Sequence, residues 1–123
     1  MARVLFVDDD PQTLEILGKA VEVFGHHAIW ASDGQAALRT AAEQSPDIIF
    51  VDLSLPDMDG LTLISQLGQS PGLADIPMLV LSASPELDVA DLARQAGARA
   101  YLNKPIRLQT LLDTIQTYTG SAG

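Results

Sequence analysis

Apolar and polar positions along this chain follow two alternating periods. Arg3–Val7, Ala28–Ala31, Asp47–Leu53, Pro77–Ser82 and Ala100–Asn103 are short, mostly aliphatic runs bounded by Asp, Gly, Pro or Ser. Unbroken runs of this length predict strands buried on both faces, as in a parallel sheet. The intervening segments repeat at helical spacing. Asp10-Pro11 reads as an N-cap followed by proline at the first helical position, and Leu14, Leu17 and Val21 then share one face before a stop at Gly25. Asp33-Gly34 opens a second helix through Ala37, Leu38 and Ala41, which Pro46 ends. Leu55-Pro56-Asp57-Met58-Asp59-Gly60 is a turn-rich loop ahead of a third helix carrying Leu63, Ile64 and Leu67, which breaks between Gly68 and Gly72. Ser84-Pro85 repeats the cap-plus-proline signal, and the fourth helix puts Val89, Leu92, Ala93 and Ala96 on one face before Gly97. The last helix has Leu108, Leu111, Leu112 and Ile115 at the i, i+3, i+4, i+7 spacing.

Strict alternation of this kind predicts a single (βα)5 unit: an α/β fold with a five-stranded parallel sheet and helices on both faces. The expected domain is residues 1–118, with 119–123 a flexible tail or the stub of a linker. The chain of 123 residues suits one domain and is long enough for a core without staples. It has no cysteine, which excludes a disulfide framework and a thiolate metal site. The net charge of −9 argues against nucleic acid, whose affinity rests on Lys and Arg neutralising phosphates. It favours a divalent cation or a cationic patch on a partner protein. No run approaches the roughly 18 apolar residues of a membrane span, and the N-terminus lacks signal-peptide anatomy. His26-His27, after the helix stop, reads as a pair of exposed imidazoles, and Trp30 as a packing residue.

The candidate chemistry lies at the strand ends. The first strand runs into Asp8, Asp9 and Asp10, the third into Asp52, the fourth ends on Ser82, and the fifth runs into Lys104-Pro105. In a parallel sheet all these ends open on one edge, where ligands bind in open α/β folds. Two unit charges about 5 Å apart repel by roughly 3 kcal/mol at an effective dielectric of 20, so clustered carboxylates need a cation. Oxygen ligands of this kind suit Mg²⁺, and an open Mg²⁺ site beside a free carboxylate suits phosphoryl transfer. Asp10 reads as a helix cap only. Lys104 can neutralise the carboxylates and hold a phosphoryl oxygen, and the X-Pro bond that follows it can be cis. Ser82 can donate a hydrogen bond to the same group.

Val7-Asp8-Asp9, Asp33-Gly34, Asp52 with Leu55–Gly60, Ser82-Ala83, Gly97-Ala98 and Lys104-Pro105 stand in an order and spacing that resembles the receiver domain of two-component response regulators, the CheY-like family. The resemblance covers Ala2 to Tyr118 and implies a doubly wound, flavodoxin-like sheet. It implies that Asp52 accepts a phosphoryl group from a phosphohistidine, and that Asp8, Asp9, Asp52 and the backbone carbonyl of Ser54 hold Mg²⁺ or Mn²⁺. Lys104 would pair with the acylphosphate across a cis bond to Pro105. Ser82 would be the switch hydroxyl, standing where threonine is a common choice, and Tyr101 the aromatic that follows it. Output would pass through the surface of the fourth helix, fifth strand and fifth helix. Ser54 and Ser84 occupy positions that tune dephosphorylation in the family.

The partners implied are a sensor histidine kinase or phosphotransfer protein and a downstream target or fused output domain, with a homodimer on phosphorylation as one option. The implied setting is the cytoplasm, without membrane or nucleic-acid contact. The implied role is a switch rather than an enzyme. Two rivals share the motifs. A haloacid-dehalogenase-type phosphatase would use Asp8-x-Asp10, a later Ser and a Lys, but it requires a further acidic pair after the lysine, and only Asp113 follows Lys104. A receiver-like interaction module that is never phosphorylated would have no need of the full set Asp8, Asp9, Asp52, Ser82 and Lys104.

Overall fold

Strands and helices alternate without exception in the computed structural model, which describes residues 1–83 and 87–120. They are β1 (Arg3–Val7), α1 (Pro11–Val23), β2 (His27–Ala31), α2 (Gly34–Gln44), β3 (Ile48–Val51), α3 (Gly60–Gln69), β4 (Met78–Ser82), α4 (Leu87–Ala96), β5 (Ala100–Asn103) and α5 (Leu108–Thr119). All strand pairs are parallel, in the order β2-β1-β3-β4-β5. The expected architecture is therefore the observed one. β3 is shorter than the expected Asp47–Leu53, running from Ile48 to Val51; just before it, the Asp47 carboxylate accepts the Arg3 N–H at 2.7 Å.

Alternate strand residues feed two separate cores, as the pleat requires. Leu5, Val7, Ile49, Val51 and Val80 pack with Ala37, Leu63, Ile64, Leu67 and Ala93 of α2, α3 and α4. Val4, Phe6, Ile48, Phe50, Leu79 and Leu81 face the other way, against Leu14, Val21, Leu111 and Ile115 of α1 and α5. The Phe6 and Phe50 rings stack at 5.4 Å on that second face, which fixes β1 against β3 from one side. Among the described residues, no helix is long and apolar enough to cross a membrane.

Three side chains, His26, Leu92 and Leu108, depart from expectation. His26 is buried rather than exposed: its Nδ1 accepts the Ala2 N–H at 3.0 Å, so the imidazole closes the lower end of the sheet, while His27 remains at the surface. Burial, followed by the nearby N-terminal charge, holds its pKa below the usual histidine value. Leu92 and Leu108 are 48% and 43% exposed, although each fits the apolar stripe of its helix. The small Ala93 takes the contact in α4, and Leu108 sits in the first turn of α5, before that helix meets the sheet. Trp30 packs over Gly18 of α1 but leaves half its surface open. The expected cap Ser84-Pro85 and the tail end 121–123 lie outside the described residues.

Candidate functional site

Register brings the strand-end groups together. Val7 pairs with Val51, so Asp8 and Asp52 leave adjacent strands at the same level. Asp52 N–H donates to Val7 O at 2.9 Å, and Asp8 N–H to Ala31 O at 3.1 Å, which extends the ladder to the functional residues themselves. Ser82 pairs with Asn103, so Lys104 emerges one residue beyond it. The strand order reverses direction between β1 and β3, and the crevice at such a point is where open α/β sheets bind ligands.

Lys104 is the hub. Its Nζ lies 2.5 Å from Asp8 Oδ2 and 3.3 Å from Asp52 Oδ2. The peptide bond from Lys104 to Pro105 is cis, as the resemblance implied. Asp8 is almost fully buried, and its Oδ1 also accepts the Asp10 N–H at 2.9 Å. Asp52 Oδ1 accepts the Ser54 N–H at 3.3 Å. Burial raises the Asp52 pKa above the usual carboxylate value; the Lys104 charge and the Ser54 N–H oppose that rise, and the Asp8 charge adds to it. For Lys104, burial pulls the pKa down, but the Asp8 hydrogen bond and the two carboxylate charges outweigh it, leaving the value raised.

One carboxylate oxygen from each of Asp8, Asp9 and Asp52 falls within 4.8 Å of the others. In an octahedral Mg²⁺ shell, neighbouring oxygens are about 3 Å apart and opposite ones about 4 Å, so a slight inward movement would suffice. The donors are all hard oxygens, which fits Mg²⁺ or Mn²⁺ and disfavours softer metals. Asp10 faces away: it caps α1, accepting from Gln12 N–H at 3.1 Å and Thr13 Oγ1 at 2.8 Å. Ser82 is buried at the end of β4, and Tyr101, half-buried on β5, packs against the α2–α4 core. Beside Lys104 an apolar recess of about 400 Å³ opens between Ile16, Leu17, Leu81, Pro105 and Ile106.

The loop after Asp52 holds features that the motif reading did not assign. Ser54 and Asp59 form an isolated antiparallel bridge, and Gly60 N–H donates to Leu53 O at 3.0 Å. A Cβ on Gly60 would lie 2.5 Å from Asp52 O and 2.7 Å from Leu53 Cα. Both are backbone atoms that cannot step aside. Space, rather than a left-handed φ, therefore demands glycine here. Gly60→Ala is expected to cost about 2–3 kcal/mol, at the upper end for overpacking, and to lower Tm by roughly 8–15 °C, as read by thermal denaturation. Asp57 reaches across to α2, which no spacing in the sequence indicates.

Comparison with known proteins agrees with this geometry. The sequence signature described as the response regulator receiver domain matches residues 4–116, and the chain belongs to that family. The chain is 41% identical over 112 residues to the transcriptional regulatory protein KdpE of Mycobacterium tuberculosis, covering 91% of this chain but 48% of KdpE. It therefore spans about half the length of that relative. It is 31% identical to the polar-differentiation response regulator DivK of Brucella anthropi, covering 97% of both chains. Among solved structures, the receiver domain of sensor histidine kinase PA1611 from Pseudomonas aeruginosa PAO1 superimposes with a TM-score of 0.89 at 27% identity, covering 98% of each chain. That structure has a magnesium ion coordinated in its active site cleft. The chain is thus a response regulator receiver domain of two-component signalling.

Proposed function

We propose that Asp52 is the phosphoacceptor of this receiver domain, and that Asp8, Asp9, Asp52 and the Ser54 carbonyl hold a divalent cation during transfer. The observation that carries the reading is the convergence of the Asp8, Asp9 and Asp52 oxygens on one point beside Lys104 Nζ. A bound Mg²⁺ would supply charge neutralisation for the incoming phosphoryl oxygens.

The chain's own residues do the rest. An Asp52 carboxylate oxygen forms the new P–O bond as the donor's P–N bond breaks, and the donor imidazole leaves with that electron pair. Lys104 holds a compact positive charge beside Asp52, where the transferred group arrives with its negative charge. The Ser54 N–H fixes one Asp52 oxygen, which leaves the carboxylate oriented before the donor arrives. Phosphorylation then adds charge and acceptors at one point. Ser82, which pairs with Asn103 one residue before Lys104, is the hydroxyl that would answer, and Tyr101 lies on β5, the strand that leads into Lys104. The relay would run through the α4-β5-α5 surface to a downstream target or output domain, with a sensor histidine kinase or phosphotransfer protein upstream.

The test is labelling by a small acyl phosphate with Mg²⁺. We expect one hydroxylamine-labile phosphoryl group per chain, lost when a chelator removes the metal. Multiple turnovers of a phosphate monoester would favour the phosphatase reading. Absence of both labelling and Mg²⁺ binding would favour the unphosphorylated interaction module.

A further inference from the structure

Helix α2 begins with backbone N–H groups that no residue within the helix can satisfy. One of them, on Ala36, donates to the local cap Asp33 Oδ1 at 2.7 Å. Two others are taken by a residue from a different part of the chain. Gly34 N–H donates to Asp57 Oδ1 at 2.7 Å, and Gln35 N–H to Asp57 Oδ2 at 3.0 Å. Both oxygens of one carboxylate are thus engaged by consecutive amides at the positive end of a helix. These two bonds, the Gly34 one foremost, hold the Asp57 pKa below the usual carboxylate value, so the clamp stays charged at neutral pH.

The next residue makes a second attachment. Met58 lies so close over Gly34 that a Cβ there would come within 2.5 Å of its Cγ and Sδ. Asp57 and Met58 form the tip of the loop whose base contains Asp52 and Ser54. That base is closed by the Ser54–Asp59 bridge and the Gly60-to-Leu53 hydrogen bond. The loop is therefore tied at both ends: to β3 and α3 at its base, and to the first turn of α2 at its tip.

We propose that Asp57 is a positioning residue: its bidentate clamp on α2 holds the Asp52–Ser54 end of the loop ready for the divalent cation, so that metal loading and the order of the α2 N-terminus are coupled. The inference rests on the phosphoacceptor reading above. It differs from mere helix capping, because the same helix end already has a local cap, Asp33, which accepts the Ala36 N–H. Coupling of this kind is reciprocal: what the clamp adds to metal affinity, the metal adds to the clamp.

The experiment is Mg²⁺ titration by calorimetry of the wild type, Asp57→Ala, Asp57→Asn and Asp33→Ala, with hydrogen exchange at the Gly34 and Gln35 amides. Residues that orient metal ligands from behind typically change affinity 10- to 100-fold, and an exposed carboxylate at one remove should give less, roughly 3- to 10-fold. Asp57→Ala should weaken Mg²⁺ binding by that factor, and Asp57→Asn, which keeps one acceptor, by less. Asp33→Ala should lower Tm and leave the affinity within about twofold. In the wild type, Mg²⁺ should slow exchange at Gly34 and Gln35. Equal affinities in Asp57→Ala and the wild type would overturn the clamp alone, as would equal losses in Asp57→Ala and Asp33→Ala. A wild type that binds no Mg²⁺ would overturn the underlying site as well. If Asp57→Ala does not fold, the Asp57→Asn affinity decides.

Discussion

Asp52→Asn is expected to abolish phosphoryl incorporation, with labelling by a small acyl phosphate falling at least about 10³-fold. On the proposed reading, the amide removes the nucleophilic charge and one ligand of the divalent cation together. No neighbouring group can substitute. Asp8 holds Lys104 with one oxygen and the Asp10 N–H with the other, Asp9 is exposed on the turn, and Asp10 is spent capping α1. Undiminished, hydroxylamine-labile labelling of the variant would place the acceptor elsewhere.

The same substitution should make the apo protein more stable. Burial raises the Asp52 pKa in the folded state, which means that the folded protein disfavours the ionised form. For a carboxylate with a raised folded pKa, the unfavourable contribution is absent below the ordinary carboxylate pKa. It appears as pH rises through the folded value and persists at neutrality. Asn carries no charge at any of these pH values. Lys104 keeps its Asp8 partner when the Asp52 contact goes. A rise in Tm of roughly 1–4 °C at pH 7 is expected, shrinking as pH falls towards 4. Mg²⁺ should narrow the gap, because it stabilises only the chain that binds it well. Thermal melts at two pH values, with and without Mg²⁺, read both effects.

Such local cost in return for chemistry explains why the site was legible in the sequence. Buried parallel strands appear as aliphatic runs, and a run that ends on Asp8-Asp9, Asp52 or Lys104 breaks the pattern of its own burial. Asp10-Pro11, Asp33 and Asp59 were equally plain to read as caps or turn residues, because capping depends only on near neighbours. Contacts between elements left no such trace. Asp57 looks like any turn aspartate until α2 is seen beside it, 23 residues away in sequence. Gly60 reads as the end of a turn, whereas its constraint is the backbone of Asp52 and Leu53. His26 lies beside His27 after a helix stop, and only the approach of the chain just before β1 supplies the Ala2 N–H that its Nδ1 accepts. Leu92 and Leu108 fit a helical stripe by spacing, but a stripe does not say where along the sheet a helix makes contact.

Lys104→Met should separate the roles of the site's two cations. The substitution keeps much of the apolar stem and removes the charge that bridges Asp8 and Asp52. Loss of one preorganised electrostatic donor typically costs 10²- to 10³-fold, and phosphoryl transfer to Asp52 should fall by about that factor. Mg²⁺ affinity should hold or increase, since a competing positive charge leaves the carboxylates. The pH dependence should move too. Lys104 opposes the rise that burial imposes on Asp52, so without it the carboxylate stays protonated to higher pH, and the pH of half-maximal labelling should shift upward. Stability should fall at neutral pH by about 1–3 kcal/mol, because almost fully buried Asp8 loses its ion partner and keeps only the Asp10 N–H. The raised Lys104 pKa means that the wild-type pair contributes fully below lysine's ordinary value and is lost only as pH climbs through the folded one, so this deficit spans the physiological range. Mg²⁺ should restore most of it. Lys104→Arg should not rescue transfer, since the planar guanidinium cannot replace a compact ammonium between two converging carboxylates. A methionine variant labelled at the wild-type rate and at the wild-type pH midpoint would remove Lys104 from the transfer step and leave it a structural ion pair.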